Sequence, residues 1–480
     1  MVFASPIFLF IFLPLFLGLY YLTPRRGKSL FILLGSSAFY AWWRVDFLAL
    51  LYAIIGWSWL MALAIERWRN HKQAIWLLRM AVGANLLTLG YFKYWNFGVG
   101  TLAPLLQQAG ITITPEMLQV LLPIGISFFV FHAISYIVDV WRGDTPATRN
   151  LFDFAAFITL FPHLIAGPVL RYKDLAGQFT SRTHSLELFS EGAYRFMAGF
   201  AKKVLIADTV APLADAAFAL PNPSMADAWL GALAYSIQLF FDFAGYSEMA
   251  VGLALMMGFR FIENFNMPYI SRSIAEFWRR WHISLSTWLR DYLYIPLGGN
   301  RKSRARTYIN LLLTMLLGGL WHGANWTFVL WGAWHGGLLA LERALAENNT
   351  TRNMRVPHLA QHTYCLLAVL LGWVMFRSHT LADAMGMYQG MLGLNGFAVS
   401  TDLLWQIKKT SLLALAGGIA VIALQPLLNY TRTPVELSKG SFAIRTAAPL
   451  TLQIIVAAFF ILAVTRLIAM SYSPFLYFQF

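Results

Sequence analysis

Charge is what this sequence has least of. Only 12% of its 480 residues are Asp, Glu, Lys or Arg, about half of the roughly 25% that a water-soluble domain carries. A domain solvated on every side is therefore excluded. Cysteine is nearly absent as well. Cys365 stands alone, in the apolar run YCLLAVLLGWVMF, so neither an internal disulfide nor a CxxC metal site can form. A buried, unreactive thiol is expected there. There is no Walker A sequence, no GxSxG elbow and no HExxH. Those absences point away from P-loop nucleotide hydrolysis, α/β-hydrolase chemistry and a zincin centre, and no metal is expected.

What is abundant is apolar surface. Hydrophobic residues make up 58% of the chain and aromatics 16%. Continuously apolar runs fall at 3–22, 47–65, 75–92, 118–140, 151–170, 228–258, 308–341, 362–376, 411–428 and 447–469. Most are near the length of about 18 residues or more that a helix needs to cross a bilayer, and two are long enough to be paired or re-entrant elements. Continuity excludes a membrane β-barrel, whose strands alternate apolar and polar positions. The expectation is an all-α polytopic membrane protein of roughly ten to twelve spans, one domain over 1–480. Neither an internal repeat nor a dividing linker is visible. The polar breaks at 143–150, 180–187, 346–358 and 429–446 read as short loops.

The net charge of +14 could suggest nucleic acid. The cations, however, sit in short loops between apolar runs, which is the positive-inside pattern of a membrane protein. The amino terminus lacks a cationic n-region, and its charges follow the first apolar run as TPRRGK. It reads as a retained helix rather than a cleaved signal, with residue 1 facing outward. The region 259–307 holds nine basic residues against three acidic ones, so it is expected to be cytoplasmic.

Within that region, SIAEFWRRWHISLSTWLRDYLYIP reads as one amphipathic helix. Ser273 and Glu276 have capping-box spacing, and Pro296 stops it. Phe277, Trp278, Trp281, Leu285, Trp288, Leu289 and Tyr292 form its apolar stripe. Such a helix lies in the membrane interface or dips into it. His282 falls on the edge of the stripe, where an imidazole can face a cavity.

Between Arg306 and Glu342 the sequence carries no Asp, Glu, Lys or Arg, yet His322 and His335 lie inside this run. A polar side chain at membrane depth usually faces the bundle interior or a water-filled cavity. Gly319 and Gly323 have the spacing that lets a second helix approach closely, and Asn325 stands three residues beyond His322. Two readings of His322 stay open on the residues alone. It transfers protons as a neutral imidazole, or it is a buried ring bonded to a backbone carbonyl. His335 would lie on another side of a continuous helix, and His163 sits in a stretch broken by Pro and Gly. Asp242 and Glu248 are costly facing lipid, so they are expected to pair with basic groups or Tyr246 inside the bundle.

The segments SIAEFWRRWHISLSTWLRDYLYIPLGGNR and MLLGGLWHGANWTFVLWGAWHG resemble those of the membrane-bound O-acyltransferases. The resemblance extends almost end to end through IFLPLFLGLYYL, SAFYAWWRVDFLAL, FPHLIAGPVLRY and SYSPFLYFQF. It is strongest to the branch that O-acetylates bacterial alginate. It implies a ring of tilted helices around a thinned centre with a tunnel. It implies that His322 is the catalytic general base and His282 the second functional histidine. No permanent cofactor is implied. The donor would be acetyl-CoA, the acceptors mannuronate hydroxyls, and the partners acetyltransferase proteins of the periplasm and inner membrane. The setting would be the bacterial inner membrane, among its lipids, with the amino terminus periplasmic and no nucleic acid involved. Other readings remain: another surface polymer as acceptor, a transporter built on Asp242, or a scaffold docking through its aromatic tail at 472–480.

Overall fold

The computed structural model describes residues 1–110, 119–348, 356–429, 449–470 and 476, and among these every regular element is helical. They form two compact units. The first comprises Met1–Ser185 with Met257–Phe261. A short π-helical turn, Phe8–Phe12, leads into α1 (Leu13–Leu22), and α2 (Lys28–Ala41), α3 (Asp46–Arg67), α4 (Gln73–Gln108) and α5 (Ile126–Arg142) follow. Then come α6 (Leu151–Thr159), α7 (Phe161–Leu164) and α8 (Tyr172–Thr180). The apolar run 151–170 is thus not one helix. Leu160 leaves helical geometry at ψ 105°, and Pro162 has no N–H with which to continue the ladder.

The second unit contains α9 (Leu186–Ala201), α10 (Asp208–Phe218) and α11 (Met225–Met256), then α12 (Ile274–Arg280), α13 (Ile283–Leu289), α14 (Arg304–His322) and α15 (Trp326–Glu347). It ends with α16 (His358–Arg377), α17 (Leu381–Met391), α18 (Thr401–Leu404), α19 (Lys409–Asn429) and α20 (Leu450–Met470). α11 is its axis: 89% of its most apolar stretch is buried, against 11% for α20. A helix so enclosed can be apolar all round. α9 lies against it almost backbone to backbone. A methyl on Gly192 would meet the Gly252 carbonyl at 2.5 Å, and one on Gly199 the Gly245 carbonyl at 2.5 Å.

Six helices among the described residues are long and apolar enough to cross a membrane: α3, α4, α11, α16, the stretch Lys409–Pro426 of α19, and α20. The apolar runs do not map one to one onto helices: 151–170 breaks at Leu160, which composition does not report, whereas 308–341, long enough for a paired element, folds back on itself as α14 and α15. The aromatic tail at 472–480 lies, apart from Leu476, outside the described residues.

The reading of 273–295 as one continuous helix is corrected. Ser273 caps α12 as expected, its hydroxyl accepting the Glu276 N–H at 3.0 Å. Burial opposes ionisation of Glu276, but the Arg272 amide and the Arg280 guanidinium outweigh it and hold its carboxyl below the usual range. The helix then ends at Arg280, and α13 starts anew at Ile283 with His282 at its N-cap. His282 adopts φ 43°, the left-handed region that costs most side chains roughly 1–2 kcal/mol. Periodicity cannot report such a break, because the apolar stripe resumes after it.

Candidate active site

The site is built by the second unit. α14 begins where Ser303 accepts the Arg306 N–H at 3.3 Å and ends at His322. Gly323 leaves the helix with extended backbone, φ −161° and ψ 150°. The turn Gly323–Asn325 reverses the chain into α15. The hairpin is held very close: a methyl on Gly319 would meet the Phe328 carbonyl at 2.2 Å, and one on Gly332 the Met315 carbonyl at 2.4 Å. The helix that Gly319 admits is thus the second arm of its own hairpin. Gly323 lies past the end of α14 and admits the Phe328 ring instead.

His322 is 6% exposed and sits in an aromatic box. Trp321, Trp331 and Phe376 have ring centroids 5.1, 5.2 and 5.2 Å from its own, each nearly edge-on. His282 is the fourth neighbour, 6.4 Å away between centroids. His282 is fully buried, with Phe243 of α11 edge-on at 4.6 Å.

A polar knot holds the His282 break. Asn264 is 2% exposed. Its carbonyl oxygen Oδ1 accepts the Ser284 N–H at 3.2 Å and the Ser284 hydroxyl at 2.8 Å. Its amide donates to Ser247 Oγ of α11 at 3.0 Å, and its backbone carbonyl accepts the Ile283 N–H at 2.9 Å. α12 is anchored at its other end by Glu342 of α15, whose carboxylate oxygens accept the Ile274 and Ala275 N–H groups at 2.6 and 3.0 Å. A carboxylate on the first turn satisfies orphan donors and complements the helix dipole.

The sequence candidates fall into two groups. His322 and His282 come together. Asn325 serves as the N-cap of α15, its Oδ1 accepting the Thr327 N–H at 3.1 Å, while its amide donates to the His379 carbonyl at 2.7 Å. His335 is fully buried and lies beyond Trp331, 5.1 Å from that ring. In the first unit, His163 bonds the Phe157 carbonyl at 2.7 Å and stacks on His132 at 4.4 Å. The carboxylates pair as expected: Asp242 lies 2.9 Å from Lys203, and Glu248 bonds Lys202. Asn264, Phe243, Trp331 and Phe376 were not foreseen. The only signal for Asn264 is an amide beside the basic segment; the aromatics carry none that separates them from ordinary core.

A groove of about 780 Å³ opens at the far end of the hairpin. Its walls are mostly apolar, with Leu311 of α14 and Leu339 of α15, and Arg272, Arg290 and Arg343 also line it. Leu311 lies eleven residues before His322, about 16 Å along the helix at 1.5 Å per residue. No group of three or more His, Cys, Asp or Glu that could hold a metal lies together among the described residues.

The sequence profile described as MBOAT, membrane-bound O-acyltransferase family, matches residues 144–380, which include both histidines. The probable alginate O-acetylase AlgI of Pseudomonas putida is 54% identical over 492 aligned positions, covering 100% of both chains. That of Azotobacter vinelandii is 52% identical, again over 100% of both. The peptidoglycan O-acetyltransferase of Helicobacter pylori is 36% identical over 83% of this chain and 81% of its own.

Proposed function

The chain belongs to the membrane-bound O-acyltransferase family, and from that premise we propose that it O-acetylates alginate. It would take acetyl groups from a cytosolic thioester, acetyl-CoA, for transfer to mannuronate hydroxyls outside the inner membrane. The chain is a multi-pass membrane protein; the proposal adds an inner-membrane setting, a periplasmic amino terminus and ten to twelve spans around a tunnel. The full-length likeness to two alginate O-acetylases supports the acceptor. The single observation that carries the mechanism is the pair of imidazoles whose ring centroids lie 6.4 Å apart at a buried helix end.

The thioester is already activated, and the slow event is removal of a proton from a weakly acidic hydroxyl. In this reading His322 takes that proton as the hydroxyl oxygen bonds to the acyl carbon. The carbon–sulfur bond breaks, and the proton passes on to the departing thiolate. A positioned base of this kind contributes about 10²–10⁴-fold. His282 lies close enough to hold the carbonyl or the hydroxyl in place. The aromatic box keeps out water, a competing acceptor. The three arginines of the groove suit an anionic donor, whose phosphates they can bind by charge-assisted hydrogen bonds. Partner acetyltransferases of the inner membrane and periplasm would complete delivery to the polymer.

The test is reconstitution of the purified protein with radiolabelled acetyl-CoA on one side and candidate polymers on the other. Label reaching alginate, with or without added periplasmic partners, supports the proposal. Label reaching only peptidoglycan would move this chain toward its Helicobacter pylori relative. No covalent label on any acceptor, with intact donor crossing the membrane, would make it a transporter.

A further inference from the structure

Several weakly exposed cations of this protein are paired with carboxylates. Arg195 grips Glu263 through two bonds of 2.7 Å, Lys173 bonds Asp139 and Asp144, and Lys203 bonds Asp208 and Asp242. One cluster in the first unit is built differently. Lys28 is 6% exposed. Its ammonium donates to the Tyr20 carbonyl at 2.6 Å and lies 3.9 Å from the centre of the Tyr20 ring. The Tyr20 hydroxyl donates to the Met257 carbonyl at 2.7 Å. Its oxygen is 3.0 Å from His184 Nε2, and with the phenol proton already spent, that nitrogen is the donor. Arg182 packs over the Phe259 ring at 4.5 Å, and its Nη1 is buried without a hydrogen-bond partner.

Among the described residues, none of Lys28, Arg182 and His184 has a carboxylate within 4 Å. Asp153 acts on Arg182 only from farther away. The cations instead act on one another: Lys28 feels Arg182 and Arg25, and His184 feels all three. The backbone adds to the imbalance. α2 is fourteen residues long and starts at Lys28, yet its N-cap, Gly27, offers no side-chain cap and its first turn holds no acidic residue. Its positive end therefore adds to the same field. Beside the cluster the chain turns apolar side chains outward: Leu22 is 80% exposed and Leu30 is 42% exposed.

We propose that Lys28, Arg182 and His184 form a phosphate-binding site that holds the headgroup of an anionic phospholipid. The lysine and arginine give charge-assisted hydrogen bonds to the phosphate oxygens, the end of α2 adds backbone N–H groups, and the acyl chains lie along Leu22 and Leu30. Those exposed leucines, on a chain that lives in a bilayer, select a lipid over a free anion. The site lies outside the histidine pair and does not depend on the proposed chemistry.

The experiment uses the full-length protein in phosphatidylcholine nanodiscs, with phosphatidylglycerol as the probe. Binding of the probe should weaken at least about fivefold in Lys28→Gln and again in Arg182→Gln. Lys28→Arg should restore most of it, and Arg301→Gln, an exposed cation of the second unit, should leave it unchanged. On the unaltered protein, a photoreactive phosphatidylglycerol should label peptides containing residues 20–30 or 179–184, a readout that does not depend on any variant folding. Equal binding by all variants, or labelling confined to other segments, overturns the site. Displacement of the lipid by millimolar inorganic phosphate overturns the lipid assignment and leaves a site for free anions.

Discussion

Replacing Gly319 with alanine adds one methyl group, and the hairpin fixes where it must go. Its Cβ would stand 2.2 Å from the Phe328 carbonyl oxygen, where ordinary contact begins at 3.4 Å. The partner atom is backbone, so no side chain can swing aside, and α14 and α15 must part or tilt by about 1 Å. His322 lies three residues beyond Gly319, and Trp331 stands on the opposing arm. The displacement therefore falls on the spacing between the imidazole and its box. A misplacement of about 1 Å at reacting groups costs about 100-fold in rate, which corresponds to about 2.7 kcal/mol of barrier. Overpacking alone costs about 1–3 kcal/mol of stability. The assay is the initial rate of labelled acetyl transfer per amount of membrane-inserted protein. We expect kcat to fall about 100-fold while KM for the donor changes by only about a factor of two or three, the signature of an interaction needed in the transition state. Gly332→Ala, aimed at the Met315 carbonyl from the other arm, should act in the same direction. Gly337→Ala has no neighbour within 4 Å and should be silent. Wild-type kcat in Gly319→Ala, or an equal loss in Gly337→Ala, would refute the reasoning.

Three further outcomes follow from the same geometry. At His282, whose backbone has φ 43°, the glycine variant should be more stable than the alanine variant by roughly 1 kcal/mol, read as a higher melting midpoint, while both lose activity. Glu342→Ala strips the clamp from the Ile274 and Ala275 amides and should cost about 1–2 kcal/mol. Faster amide exchange confined to the first turn of α12 would show it, and Glu342→Gln should fall between. Lys203→Met leaves Asp242, itself 2% exposed, without its cation, and should destabilise by about 3–5 kcal/mol. A thermal melt unchanged from wild type would show that the pair does not hold α11 in place.

Sequence made the all-helical class legible because apolar runs and scarce charge are direct consequences of burial in lipid. It also made His322 stand out, since a titratable ring in an uncharged run is costly unless the fold uses it; His282, close to Arg279 and Arg280, was marked by its place at the edge of an apolar stripe. Three things escaped it, each for its own reason. The break at His282 was hidden because the apolar stripe continues through it. The position of the turn in 308–341, a run long enough for a paired element, was hidden because Gly323–Asn325 is as uncharged as its two arms. Asn264 was hidden because its partners, Ser247 and Ser284, are distant in sequence and no periodicity links them. Asn325 shows the limit of proximity in sequence. Three residues from His322 placed it near the ring in sequence, but its Oδ1 caps α15 and its amide donates to the His379 carbonyl.

The most direct test of the account is single-turnover acetyl transfer by His322→Ala and His322→Gln, measured in reconstituted membranes at equal levels of inserted protein. The account predicts a rate lowered by about 10²–10⁴-fold in both, with donor binding retained. Transfer at the wild-type rate in either variant would contradict it.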